Sequence, residues 1–428
     1  MKNEASSKKA IGLWSAISIG IGGMIGAGIF AVLGIATNIV GNVVYLSFIL
    51  GGMIALLSTY SYAKLSSKYP SAGGPVEFLI RGFGGGVLSG GFNFLLYLGY
   101  VFVLAVYAEA FGSYAATFLP PDLFKIGVDV FAILIIVIFT LINFVGPKAV
   151  GRSETLIVGI KVAILLIFAF IGFFFIKPAL LSISAQPNLG NIFIGAALLF
   201  LGYEGFGLIT NAAEDIEEPR KNIPRALYIS VILVILIYLA VSVAVVGNLS
   251  IPEISKTADY ALAAAAAPFA GSIGFTIMVL AALFSTSSAI NATLYGGANV
   301  SYLMAKNGEL PEVFNRKLWL EGKEGLLVTS VLIILLIFFL NLSSIAMMGS
   351  AAFLIIYAGV NFAHLKLYQD TGANKYIIYL AILGCLFSFL VLAYYEAYNS
   401  PLTLIVLCAA VLFSFLFEWI YRKFHPRT

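Results

Sequence analysis

The stretch "GGMIGAGIF", Gly22–Phe30, places four glycines among nine residues of the first long apolar run. Glycine inside a helix is destabilising by about 0.5–1 kcal/mol relative to alanine. A membrane-crossing helix should be continuous there, because hydrocarbon offers no partner to a freed peptide group. The cluster marks either a close helix contact or a helix that is broken.

Around it the chain is 61% hydrophobic and 10% charged over 428 residues, with a mean hydropathy of +1.03. One soluble core cannot bury that much apolar surface, so the chain belongs in a bilayer. Runs of roughly 20 residues, long enough to cross as helices, begin near Ile11, Asn42, Val87, Gly127, Thr155, Asn191, Ala226, Ser272, Leu327, Ile345, Tyr376 and Pro401. The reading is an all-α integral membrane protein of twelve spans with no separate soluble domain. With both termini inside, 20 of the 24 Lys and Arg fall on inner segments, and only Lys125, Lys177 and Lys256 fall outside. Short cytoplasmic loops retain basic residues in this way, so the expected place is the cytoplasmic membrane with cytoplasmic termini. The N-terminal run is too long for a signal-peptide core and lacks a small-residue cleavage site, so it stays as span 1. No basic stripe with interleaved aromatics suggests nucleic acid. No His, Cys or carboxylate cluster has metal-ligand spacing, and no cofactor is expected. Cys385 and Cys408 read as small core residues.

A second glycine cluster, "LGYEGFG" at Leu201–Gly207, interrupts the sixth run. Close packing of small residues accounts for Gly22 and Gly26 alone, but not for clusters at corresponding places five spans apart. Gly-interrupted segments in matching positions of two halves point to an inverted-repeat transporter with its site at the bilayer midplane. Unwinding would free N–H groups near Gly26, Ala27 and Gly28, at a positive dipole end that suits an anion. Carbonyls near Met24 in span 1, and near Leu201, Gly202 and Glu204 in span 6, would face a cation. An α-amino acid, with carboxylate and ammonium in fixed relation, fits both.

Four motifs occur in order: "IGAGIF" (Ile25–Phe30), "FLGYEGFG" (Phe200–Gly207), "EEPRKNIPRAL" (Glu217–Leu227) and "MAKNGELPEVF" (Met304–Phe314). Together they resemble the amino acid, polyamine and organocation (APC) transporter superfamily over nearly the whole chain. The likeness is nearest to prokaryotic broad-specificity, proton-coupled amino acid transporters of the LeuT-type fold. It implies a 5+5 inverted repeat, residues 1–176 and 177–368, with discontinuous spans 1 and 6, and two peripheral spans in residues 369–428. It further implies sodium-independent import of an amino acid by alternating access, driven by protons. The substrate carboxylate would meet the amides of Ala27 and Gly28, and its amine the carbonyls of Met24, Leu201, Gly202 and Glu204. Many relatives have an apolar residue where this chain has Glu204, and some an acidic one where it has Gly207. Glu204 leaves three roles open: a preference for cationic or small polar substrates, a proton site, or a vestibule carboxylate. Amino-acid exchange, sodium symport on the same fold, a non-transporting sensor and a membrane enzyme are the alternatives. Against the last, no nucleophile stands beside a histidine with an orienting carboxylate.

Lys161 lies roughly 10 Å into span 5 from Glu154. An intramembrane cation costs roughly 2.5–3.5 kcal/mol on insertion scales and is a functional candidate by default. Its expected partners are carbonyls near Gly22 and Ile25 and the hydroxyls of Ser285 and Thr286 in span 8, which would lock span 1 to span 8. The ammonium would occupy a place where sodium-coupled relatives hold an ion. Burial disfavours the charged form of an amine, so proton release would open the lock. A fixed structural tie is the other reading of Lys161, and hydroxyls of span 8 can bond back along their own helix instead. Glu109 reads as a vestibule carboxylate and His364 as an interfacial side chain. The Ala-rich stretch from Ile251 to Gly271 reads as short surface helices and a lid candidate, and Pro224 as part of the first turn of span 7.

Overall fold

The architecture comes from a computed structural model that describes residues 11–71, 73–145, 154–181, 188–311, 314, 317–319 and 322–425. Lys2, Lys8, Lys9, Lys148, Arg152, Arg316 and Arg427, counted above among the inner segments, lie outside them.

Span 1 is three pieces: α1 (Leu13–Met24), α2 (Ala27–Phe30) and α3 (Leu33–Val40). There follow α4 (Val44–Lys68), the short α5 (Pro75–Phe83), α6 (Val87–Ala116), α7 (Phe124–Val145), α8 (Glu154–Phe174) and the short α9 (Pro178–Leu181). Span 6 joins α10 (Leu189–Leu199), a 3-10 segment (Phe200–Phe206) and α11 (Gly207–Asn211). After it come α12 (Pro219–Asn248), α13 (Ile251–Lys256) and α14 (Ala261–Lys306). The chain ends with α15 (Glu324–Phe339), α16 (Leu342–Lys366), α17 (Lys375–Asn399) and α18 (Pro401–Phe424). A small antiparallel hairpin between α14 and α15 pairs Lys317 with Lys323 and Trp319 with Gly322.

Among the described residues, eleven segments are long and apolar enough to cross a membrane, and the expected ninth span is the 16-residue α15. The protein is a nearly all-helical, multi-pass membrane protein. Local signals set the helix ends. Asn188, Asn341 and Asn374 accept from backbone N–H groups of the first turns of α10, α16 and α17, which satisfies donors that a helix leaves orphaned. Prolines open α5, α12 and α18, where the missing N–H is harmless.

The apolar windows of α6 and α16 are 89% buried, against 33% for α17 and 22% for α18, so α6 and α16 form the centre. The outward faces of α7, α8, α17 and α18 carry Leu134, Phe170, Leu383 and Leu412 in the open. Such apolar exposure is what a lipid solvent permits.

Several expectations need correcting. Span 6 is not unwound: it tightens into a 3-10 helix for seven residues and keeps helical hydrogen bonding. Span 7 begins at Pro219, which leaves Pro224 inside α12 instead of in its first turn. His364, in the last turn of α16, is fully buried, its Nε2 2.9 Å from Thr371 Oγ1. Cys385 is buried, but Cys408 is exposed on an outward face. The stretch after α12 does form short helices, α13 and a 3-10 turn at Ala258–Tyr260, before α14 bends at Gly271, whose φ of 61° favours glycine. Just ahead of α1, Ile11 N donates to Asp215 O at 2.7 Å and Glu217 N donates to Ile11 O at 3.0 Å, a parallel bridge onto the loop that leaves span 6.

Candidate functional site

The site begins where α1 stops. Ile25 leaves the helical region (φ −83°, ψ 49°), and the chain turns through Gly26 before α2 restarts at Ala27. The last carbonyls of a helix have no donor in their own helix, and in hydrocarbon each unsatisfied one is costly. Here five successive carbonyls find donors on four other helices. From α8, Lys161 Nζ donates to Gly22 O at 2.9 Å. From α6, Tyr107 Oη donates to Gly23 O at 3.3 Å. From α12, Tyr238 Oη donates to Met24 O at 2.5 Å. From α14, Ser285 Oγ donates to Ile25 O at 2.5 Å and reaches Gly26 O at 3.5 Å.

Span 6 lies directly against this break. Tyr238 Oη also reaches Gly202 O at 3.1 Å, so one phenol joins the two interrupted spans. From α16, Tyr357 Oη donates to Glu204 O at 2.6 Å. The backbones touch. A Cβ on Gly28 would stand 2.6 Å from Gly202 Cα and 2.5 Å from Tyr238 Oη. A Cβ on Gly205 would run into the carbonyl carbon of Gly23 and stand 2.5 Å from Met24 N. Glycine at Gly28 and Gly205 is therefore a packing requirement, whatever else it permits.

Two buried ionisable groups flank the contact. Lys161 is 2% exposed and Glu204 4% exposed. The Glu204 carboxylate accepts from Tyr107 Oη at 3.4 Å, and among the described residues no cation pairs with it. Glu109 is buried on α6 just beyond Tyr107, with Asp129 and Asp259 as charged neighbours. Among the described residues no group of three or more His, Cys, Asp or Glu is placed to hold a metal.

Of the residues singled out in the sequence, the structure brings Gly22 to Lys161, Ile25 and Gly26 to Ser285, Met24 to Gly202 through Tyr238, and Gly28 to Gly202. The amides of Ala27 and Gly28 open α2, and Leu201 lies under Gly349 of α16. Thr286 is placed otherwise than expected. Its hydroxyl donates along its own helix to Ala282 O at 2.8 Å and Leu283 O at 3.2 Å, as membrane hydroxyls commonly do. Sequence reasoning missed Tyr107, Tyr238 and Tyr357. The available signal was a phenol inside an apolar run: Tyr238 carries the one side-chain polar atom between Val231 and Val241, and a buried phenol needs a partner.

A family model described as amino acid permease matches residues 11–394. The chain belongs to the amino acid permease family. This agrees with the APC motifs, and it makes the protein a membrane transporter of small molecules, not an enzyme. The permease is 40% identical to an uncharacterized protein of Methanocaldococcus jannaschii, over 98% of this chain and 97% of that one. It is 39% identical to the inner membrane transport protein YbaT of Escherichia coli, over 90% of each. Among solved structures it is similar to a mutant of the Eremococcus coleocola manganese transporter, with a TM-score of 0.60 over 99% of this chain and 97% of that one. At 12% identity that likeness is one of fold alone.

Proposed function

We propose that the permease imports amino acids across the cytoplasmic membrane by sodium-independent proton coupling, with both termini in the cytoplasm. In this reading residues 1–176 and 177–368 are inverted five-helix halves, residues 369–428 are peripheral, and access alternates as spans 1 and 6 tilt against the other helices. The substrate carboxylate takes the amides of Ala27 and Gly28 at the start of α2. Its ammonium lies toward Met24, Leu201, Gly202 and Glu204.

The observation that carries the reading is the Lys161 ammonium on Gly22 O at the broken end of α1. A fixed cation there does what a bound metal ion could do, holding α1 to α8 while Ser285 holds it to α14. A cation tethered to the protein cannot leave, so the transported charge is its proton. Loss of that proton removes the strongest donor from Gly22 O and frees α1 to tilt.

The test is uptake of a labelled amino-acid panel into proteoliposomes with an inward proton gradient. Accumulation should persist when external sodium is replaced by choline, and should not require amino acid loaded inside. Lys161→Ala should lose the response to the gradient. Uptake by that variant with unchanged pH dependence would remove the mechanism, and absence of uptake for every amino acid by folded protein would remove the function.

A further inference from the structure

We infer that the Glu204 side chain, and not the backbone carbonyls of spans 1 and 6, receives the substrate's ammonium group. The inference rests on the amino-acid reading above and assigns recognition of the ammonium to one side chain.

The carbonyls of Gly22, Gly23, Met24, Ile25, Gly202 and Glu204 each lie within reach of a side-chain donor, Met24 and Gly202 sharing the one proton of Tyr238. A second donor can share a carbonyl, but it meets a weakened acceptor. The Glu204 carboxylate is different in kind. It carries a full charge when ionised, is 4% exposed, and holds one long hydrogen bond of 3.4 Å from Tyr107. Around it stand further phenols, those of Tyr62, Tyr100, Tyr238 and Tyr357, and none of these brings a positive charge. A buried carboxyl with no cation beside it is neutralised either by a proton or by a cation that binds to it, and an incoming ammonium supplies that cation.

Position supports the same assignment. The Tyr107 hydroxyl reaches both Gly23 O and Glu204 Oε1, so the carboxylate stands beside the broken end of α1. The same ring lies under Gly26, where a Cβ would be 3.4 Å from its Cζ. The carboxylate is thus at the break, next to the turn that leads into the amides of Ala27 and Gly28. An α-amino acid places its two charges one carbon apart, which matches an anion acceptor and an amide pair on adjacent sides of one turn. Hydroxy acids share the carboxylate but lack the cation.

The experiment compares L-alanine with L-lactate, which has a hydroxyl in place of the ammonium, as competitors for a labelled amino acid that wild-type protein takes up. Wild type should prefer alanine. In Glu204→Gln, alanine should weaken by about 10-fold or more, the size of a lost charged hydrogen bond, while lactate changes by less than about 2-fold. Glu204→Asp should keep the preference for alanine. A second measurement needs no variant: carbodiimide labelling of Glu204 in wild type, read by mass spectrometry, should be blocked by saturating alanine. An unchanged alanine-to-lactate ratio in Glu204→Gln, or full labelling of Glu204 under saturating alanine, overturns the inference and leaves amino-acid transport standing. A wild-type protein that takes up no amino acid overturns both.

Discussion

The two interrupted spans solve one problem in opposite ways. Span 1 breaks outright at Ile25 and Gly26, and its loose carbonyls are held from outside by Lys161, Tyr107, Tyr238 and Ser285. Span 6 never opens. It tightens into the 3-10 segment Phe200–Phe206, which keeps a local hydrogen-bond ladder with poorer geometry, and takes hydroxyls from Tyr238 and Tyr357 as additions. The stability of span 1 is therefore borrowed from four neighbouring helices, and that of span 6 is largely its own. A break held by removable donors can be released one donor at a time, whereas a tightened helix has to rewind as a unit.

The largest expected effect is at the contact between the spans. Gly205→Ala drives a methyl into the backbone of Gly23 and Met24, which no side-chain rotation relieves, and overpacking of this kind costs about 3 kcal/mol. Thermal unfolding in detergent should fall accordingly, and uptake should be lost. Next comes Tyr238→Phe. It strips the shared donor from Met24 O and Gly202 O and should cost about 2 kcal/mol, measured the same way. Tyr357→Phe removes a donor only from span 6, at Glu204 O, and should cost about 1 kcal/mol. A loss at Tyr357 that equals or exceeds the loss at Tyr238 would break the contrast drawn above. At the small end, Gly159→Ala in α8 meets open space. It should leave uptake unchanged and alter stability by no more than about 1 kcal/mol, toward the better helix former.

Much of this was legible in the sequence for a physical reason: hydrocarbon allows few ways to satisfy a backbone. Long apolar runs had to be helices, and Gly22, Gly23, Gly26 and Gly28 had to be a break or a contact. They are both. Lys161 could be assigned toward Gly22 because a buried ammonium must find carbonyls, and helix ends supply them. The tyrosine donors stayed hidden because a membrane helix shows little difference between its lipid face and its protein face. Hydropathy therefore does not tell which way Tyr107, Tyr238 or Tyr357 points. The 3-10 winding of span 6 escaped as well, since glycine clusters signal departure from the α-helix without stating its direction. Thr286 went astray for a related reason: adjacent hydroxyls at Ser285 and Thr286 sit on different faces of α14, and only Ser285 looks toward span 1.

The backbone bridge at Ile11 carries a mechanical corollary. Its two hydrogen bonds, to Asp215 and from Glu217, bolt the foot of α1 to the chain emerging from α11. A torque on one lever is delivered to the other at that joint, with no side chain in the linkage. If access alternates as proposed, swinging the lower end of either span would drag its counterpart along, and the mouth on that face would open by both hinged leaves together.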